Sequence, residues 1–245
     1  MDFNNTSTKD GLIQICEQNL FGDSPFGKIS GNPDRLQIFT NFINDAKNRY
    51  AIIALTADNS WQFDDTLNTD FPIGVTNLVA NQPDYTLNSE QIIIDQVEML
   101  DTTGTIWFPL PEIDERMFPE FNQSLSQWMN NVTGIPIAHA KIGNSIYLYP
   151  TPNYSIPGGI KVRFKRAPNY YSATDTTKKT GINRLHDNYL SDYATWKYAF
   201  SRGMDGYKVY QDIVVRWENT DIPTFFADRS LEHPTVIRAF PRKSQ

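Results

Sequence analysis

GIPIAHAKIGNSIYLYPTPNYSIPGGIKVRF, residues 134–164, decides the fold class of this chain. Ser145 to Tyr149 alternates apolar and polar as a strand does, and Ile160 to Phe164 alternates again. Between them Pro150, Pro152 and Pro157 cannot donate to a ladder, and Gly158-Gly159 can take the positive φ of a tight reversal. The spacing therefore predicts one long hairpin across 145–164. Shortly afterwards INRLHDNYLSDYATWKYAF, residues 182–200, switches to helical spacing, with Leu185, Tyr189, Tyr193, Trp196 and Phe200 on one stripe. A β region followed by a helical return implies an insertion.

Working outward, Asn32-Pro33-Asp34 opens a helix. Asn32 suits the N-cap, Pro33 the first turn, and Asp34 the positive end of the dipole. Leu36, Phe39, Ile43, Ala46, Tyr50 and Ile53 then share one face. Residues before Asn32 read as an arm with a short apolar turn at Leu12 to Cys16, ordered by a neighbour. Gln91 to Leu100, a turn at Asp101 to Gly104, and Thr105 to Leu110 read as a second hairpin. Tyr207, Tyr210, Val214 and Trp217 form a further helical stripe after Gly203 and Gly206.

These elements predict an α+β protein: a helical layer from the N- and C-terminal segments, with an inserted antiparallel, sandwich-like β domain. The expected divisions are 1–59 plus 181–218 for the helical domain and 60–168 for the β domain. A polar linker is expected over 169–180 and an extended C-terminal arm over 219–245. That arm carries Pro223, Pro234 and Pro241, with Phe225, Phe226, Val236, Ile237 and Phe240 far from any obvious core, and with Arg238, Arg242 and Lys243 as polar points.

Composition narrows the function. The chain has 245 residues, 40% hydrophobic and 13% aromatic, enough for a sizeable core. Its formal net charge of -6 argues against wrapping around nucleic acid, which needs clustered Lys and Arg. The single cysteine, Cys16, excludes an internal disulfide, and no apolar run nears the roughly 20 residues of a membrane span. The start, MDFNNTSTKD, has neither the basic nor the apolar region of a secretory signal.

Catalytic signals are absent. His139, His186 and His233 lie far apart, and none has a His or Cys at ligand spacing, so neither metal nor cofactor is expected. Cys16 has no neighbouring cation to activate it. Nucleophile-elbow, phosphate-loop and dinucleotide motifs are missing. Two acidic groups, Asp58, Asp64, Asp65 and Asp70 around Trp61, and Glu112, Asp114 and Glu115, could in principle flank a glycosidic bond. Acids between strands are far more often solvated loops. A carbohydrate-binding module using Trp61 or Trp107 is the alternative reading.

An ordered series of motifs carries more. It runs Tyr85-Thr86-Leu87, Val97 to Gly104, Leu110 to Asp114, Trp128, Gly134 to Pro136, Gly143 to Pro152, Val162 to Pro168 and Leu185 to Ala194. In that order and spacing the chain resembles the head-to-tail adaptor, or connector, proteins of tailed bacteriophages. It departs from their pattern at Ile182, where a proline would precede the helix. The resemblance implies a non-enzymatic virion protein of the neck, assembled in the host bacterial cytoplasm. It would form a ring of twelve copies beneath the portal, contact further tail or ring proteins, and pass double-stranded DNA without binding it specifically. On that reading Phe225, Phe226, Val236, Ile237, Arg238, Phe240 and Arg242 form a portal or neighbour interface. Asp64, Asp65 and Asp70 are candidates for an acidic surface near the DNA channel, where like charge prevents sticking.

Overall fold

The computed structural model describes residues 1–22, 25–57, 73–88, 91–113 and 132–231. In chain order these form helices α1 (Leu12–Phe21) and α2 (Pro33–Ala57) and strands β1 (Ile73–Leu78), β2 (Asp84–Thr86), β3 (Gln91–Leu100) and β4 (Trp107–Leu110). Strands β5 (Thr133–Gly134), β6 (Ala138–Ile142), β7 (Ser145–Tyr149), β8 (Thr151–Pro152) and β9 (Ile156–Arg166) follow. Helices α3 (Asp187–Ser201), α4 (Tyr207–Arg216) and α5 (Ile222–Leu231) complete the order. The fold is α+β. The chain divides into two units, Met1–Thr69 with Pro168–Gln245, and Asp70–Ala167.

The second unit is built from antiparallel pairs. Its main sheet has the order β1-β9-β3-β4, and a second has the order β2-β7-β6. The expected hairpin of residues 91–110 is present: Val97 lies opposite Leu110 and Leu100 opposite Trp107. Asp101 fixes its turn, accepting from the Thr105 and Ile106 nitrogens at 2.9 and 3.1 Å, while Gly104 takes a φ of 72°. Those hydrogen bonds, led by the Thr103 hydroxyl, hold the Asp101 carboxyl below its ordinary range.

The long hairpin expected across 145–164 is not formed. Strand β7 pairs with β6 through a tight turn at Gly143-Asn144, whereas β9 lies between β1 and β3 in the other sheet. The reason lies in the proline-rich connection. Pro150 and Pro152 cannot extend an antiparallel ladder, and Thr151-Pro152 instead pairs in parallel with Thr133-Gly134. Gly158, with a φ of 63°, sits within β9 at a register shift against β1 and donates to Asn77 Oδ1 at 2.8 Å. Its freedom makes a bulge, not a reversal. Leu78, Val97, Met99 and Ile160 of the main sheet and Tyr85, Ile146 and Leu148 of the second share one core, giving a sandwich-like arrangement.

In the first unit Asn32 caps α2 as expected, its Oδ1 accepting from the Arg35 nitrogen at 3.0 Å. Phe39, Ile43, Ala46 and Tyr50 are wholly buried. The N-terminal residues are no loose arm: α1 runs to Phe21, and Phe3 is fully buried, stacked on Tyr171 with centroids 4.4 Å apart. The segment read as a linker, 169–180, is what holds them. Phe3 donates to the Lys178 carbonyl at 3.0 Å and Thr180 to the Met1 carbonyl at 3.2 Å. Lys47, also fully buried, donates from Nζ to the Asn169 carbonyl at 2.5 Å and lies 4.0 Å from the Tyr171 ring centroid. Composition alone hid this, because the segment's polarity is spent on backbone partners.

Phe3→Ala removes a fully buried aromatic side chain and is expected to destabilise the first unit by about 3–5 kcal/mol, read by chemical denaturation. A change under about 0.5 kcal/mol would show that the N-terminal residues stand outside the core.

Candidate functional site

The C-terminal part of the chain is organised around α3. Leu185 and Phe200, two members of the expected stripe, are 70% and 61% exposed. Tyr189 and Tyr193 of that stripe are buried, joined by Leu190, Ala194, Tyr198 and Ala199 in a broader face. It packs on α1, α2 and α4. A helix flanked on several sides buries small residues that a single-stripe reading discounts.

Helices α4 and α5 are one rod interrupted by a π turn, Trp217–Asp221. Such turns rotate the register, so one rod can present different faces to different neighbours. Polar side chains fasten this turn to α2 and α3. Trp217 Nε1 donates to Asp192 at 3.0 Å. Glu218 accepts from the Tyr189 hydroxyl at 3.0 Å and from Arg49 Nε and Nη2 at 3.2 and 3.1 Å. Burial raises the Asp192 carboxyl, and it holds the Tyr189 hydroxyl protonated by raising it too.

His186 sits beside the turn as the hub of an aromatic cluster. Its ring lies edge-on to Phe225 and Trp217, with centroids 4.9 and 5.8 Å away, and 6.2 Å from Phe226. Burial pushes it below its usual value of 6.5, against the opposing pull of Asp221 and Asp187. Its Nδ1 is hydrogen-bonded to the Tyr50 hydroxyl at 2.8 Å. The first turn after His186 is held in turn by Asp187, which accepts from Thr180 Oγ1 at 2.6 Å and pairs with the Met1 amine at 2.9 Å.

This arrangement corrects the extended arm expected from residue 219. Residues 222–231 are helical, Phe226 and Ile222 are wholly buried, and Phe225 packs beside them. Phe226 therefore serves its own core and offers no surface to a partner. The adjacent Phe225-Phe226 pair looks unpartnered only when the preceding helix is assumed to end at Trp217. Val236, Ile237, Arg238, Phe240 and Arg242 lie outside the described residues, as do Asp64, Asp65, Asp70, Trp61, Asp114, Glu115 and His233.

The groups weighed for chemistry have ordinary surroundings. Cys16 is fully buried, its thiol pushed up to about 12 by burial, and it donates to the Ser191 carbonyl at 3.5 Å. His139 is buried on β6, with Nδ1 3.0 Å from the Leu110 carbonyl, and burial lowers it. Trp107 carries the Lys161 ammonium 3.8 Å from its ring centroid, which covers one face of the indole. Among the described residues no cluster of three or more His, Cys, Asp or Glu could hold a metal. No described helix is long and apolar enough to cross a membrane. What sequence reading missed is the polar fastening, Arg49, Asp192 and Glu218. Their spacing of many residues leaves no local signal.

The neutral state of His186 gives a pH dependence. A histidine whose folded value lies below its unfolded value leaves stability unchanged above about 6.5. It weakens the fold as pH falls below that, because the unfolded chain takes up the proton first. Asp192 and His139 titrate as well, so the informative quantity is the difference between the natural chain and His186→Asn. That difference is expected to shrink between pH 7.5 and 5.5 in thermal melts. A constant difference would remove His186 from the acid response.

The comparisons fit this two-unit architecture. No curated protein matches the chain. The family model described as SU10 adaptor protein matches residues 14–225, from within α1 through the whole β unit to the start of α5. With most of its length covered, the chain belongs to the SU10 adaptor proteins, a family of bacteriophage head-to-tail adaptors with a structural role.

Proposed function

We propose that copies of this chain form a closed ring beneath the portal and continue the DNA channel towards the tail. Twelve copies, matching the portal, complete the ring. The observation that carries this reading is the family match running through both units, so that the whole two-unit body, and not a shared module, is what the adaptors have in common. A closed ring needs two different patches on each copy. The residues beyond α5 supply one: Val236, Ile237 and Phe240 with Arg238 and Arg242, on a tail that starts from a helix fixed by Phe226. Asp64, Asp65 and Asp70 fit an acidic surface near the channel, and the net charge of -6 suits a conduit through which DNA slides. The mechanism is interface formation, with contacts to the portal above and further tail proteins below.

Electron microscopy of the chain mixed with the portal encoded by the same genome tests this. A ring stacked on the portal with matching rotational symmetry is expected; correctly assembled portals without it would overturn the reading. Removing residues 232–245 is expected to abolish docking while leaving the melting temperature within about 2 °C, since the cut spares Ile222 and Phe226. Deleting from 219 would be uninformative, because it takes core side chains with it. Docking that survives the shorter truncation would remove residues 232–245 from the portal or neighbour interface.

A further inference from the structure

The main sheet ends in two unlike edges. One is β4, four residues long and carrying Pro109 in its middle, which cannot donate to an incoming strand. The other is β1, Ile73–Leu78, six residues with the sequence IGVTNL. Among the described residues no strand pairs with its outer side. It holds no proline and no charged residue, the devices by which exposed edges are ordinarily protected. Val75 is 59% exposed upon it, and Ile73 is exposed on the same face. An edge of this kind offers a row of unpaired backbone N–H and C=O groups, and its natural ligand is another extended segment.

Beyond the helix that closes the first unit, the sequence offers a candidate of matching length. TVIRAF, residues 235–240, is bounded by Pro234 and Pro241. The prolines would limit a strand to these six residues, the length of β1. Thr235, Val236 and Ile237 are β-branched, the residue type that best fits a pleated surface. Ile237 matches the apolar character of Val75, while its immediate neighbour Val236 would fall on the opposite face of such a strand.

We propose that the outer edge of β1, unpaired among the described residues, is a docking site for residues 235–240 of a neighbouring copy, taken up as an added strand. This rests on the ring reading above and deepens it. A ring in which each copy offers both an edge and a tail has the two dissimilar patches that head-to-tail closure requires. Backbone hydrogen bonds supply most of the attraction, and alternate side chains set the register.

Cross-linking tests it in the full chain. Cys16 is buried and its thiol is held protonated, so it stays out of the reaction. Val75→Cys combined with Ile237→Cys is assembled on the portal, oxidised and run on a denaturing gel. The expected product is a ladder of multimers, absent from the control pair Ile106→Cys with Ile237→Cys, whose Ile106 is exposed at the opposite edge of the sheet. A monomer closed by an internal disulfide, meaning that the tail lies on its own sheet, would overturn the proposal. Assembled rings with no cross-link would do the same. Where no ring forms, the ring reading itself has failed, and docking is read separately with a synthetic peptide of residues 232–245 carrying Ile237→Cys. Capture by the Val75→Cys chain, with at least a tenfold loss of non-covalent binding for Val75→Lys, supports strand addition; no capture overturns it.

Discussion

The Tyr50 hydroxyl meets His186 Nδ1 across a sequence separation of 136 residues, and the first unit exists only because the two segments that carry them are brought together. Helix α2 belongs to the segment before the β unit, and α3 to the segment after it. Neither can bury its apolar face alone, because an isolated helix gains too little from its own hydrogen bonds. The enclosing of one unit within the chain of another makes the loop between them long, yet the entropy of closing a loop grows only slowly with its length. The cost falls on folding rate more than on stability. Asn44 with Tyr171 and Arg49 with Glu218 span comparable or longer separations and start from the same helix, α2, reaching the 169–180 segment and the π turn.

Much of this was legible in the residues. Asn32, Pro33 and Asp34 marked the start of α2 through capping chemistry that is wholly local. The Asp101 turn could be read for the same reason, since its carboxylate closes on nitrogens within five residues. The insertion followed from the change of period between Leu110 and Tyr189. Pairing was harder. Both β7 and β9 were recognisable as strands, but alternation says nothing about which strand lies beside which. Prolines that looked like a hairpin loop proved to be a passage from one sheet to another. The shorter reversal at Gly143-Asn144 was the stronger local signal.

The candidate interface shows the same division. Phe225 and Phe226 read as surface because nothing near them in sequence could cover them; Tyr50 and His186 do so from afar. A segment of Thr and Lys read as a linker because its apolar content is low, yet Tyr171 and backbone hydrogen bonds make it a clasp on the N-terminal residues. Both cases turn on partners distant in sequence, which no window of neighbouring residues can display. The motif order succeeded where windows failed because it compares the whole series at once, and the family match covers the same stretch.

The β unit begins with β1 and ends with β9, and these two strands are antiparallel neighbours, with Ile73 opposite Arg163. Its entry and exit therefore emerge side by side at one end of a single sheet. A module with that property can be cut out and replaced without altering the span that its host must bridge. The β unit is thus an insert whose removal would leave the helical unit, with its aromatic hub and π turn, only a short gap to close.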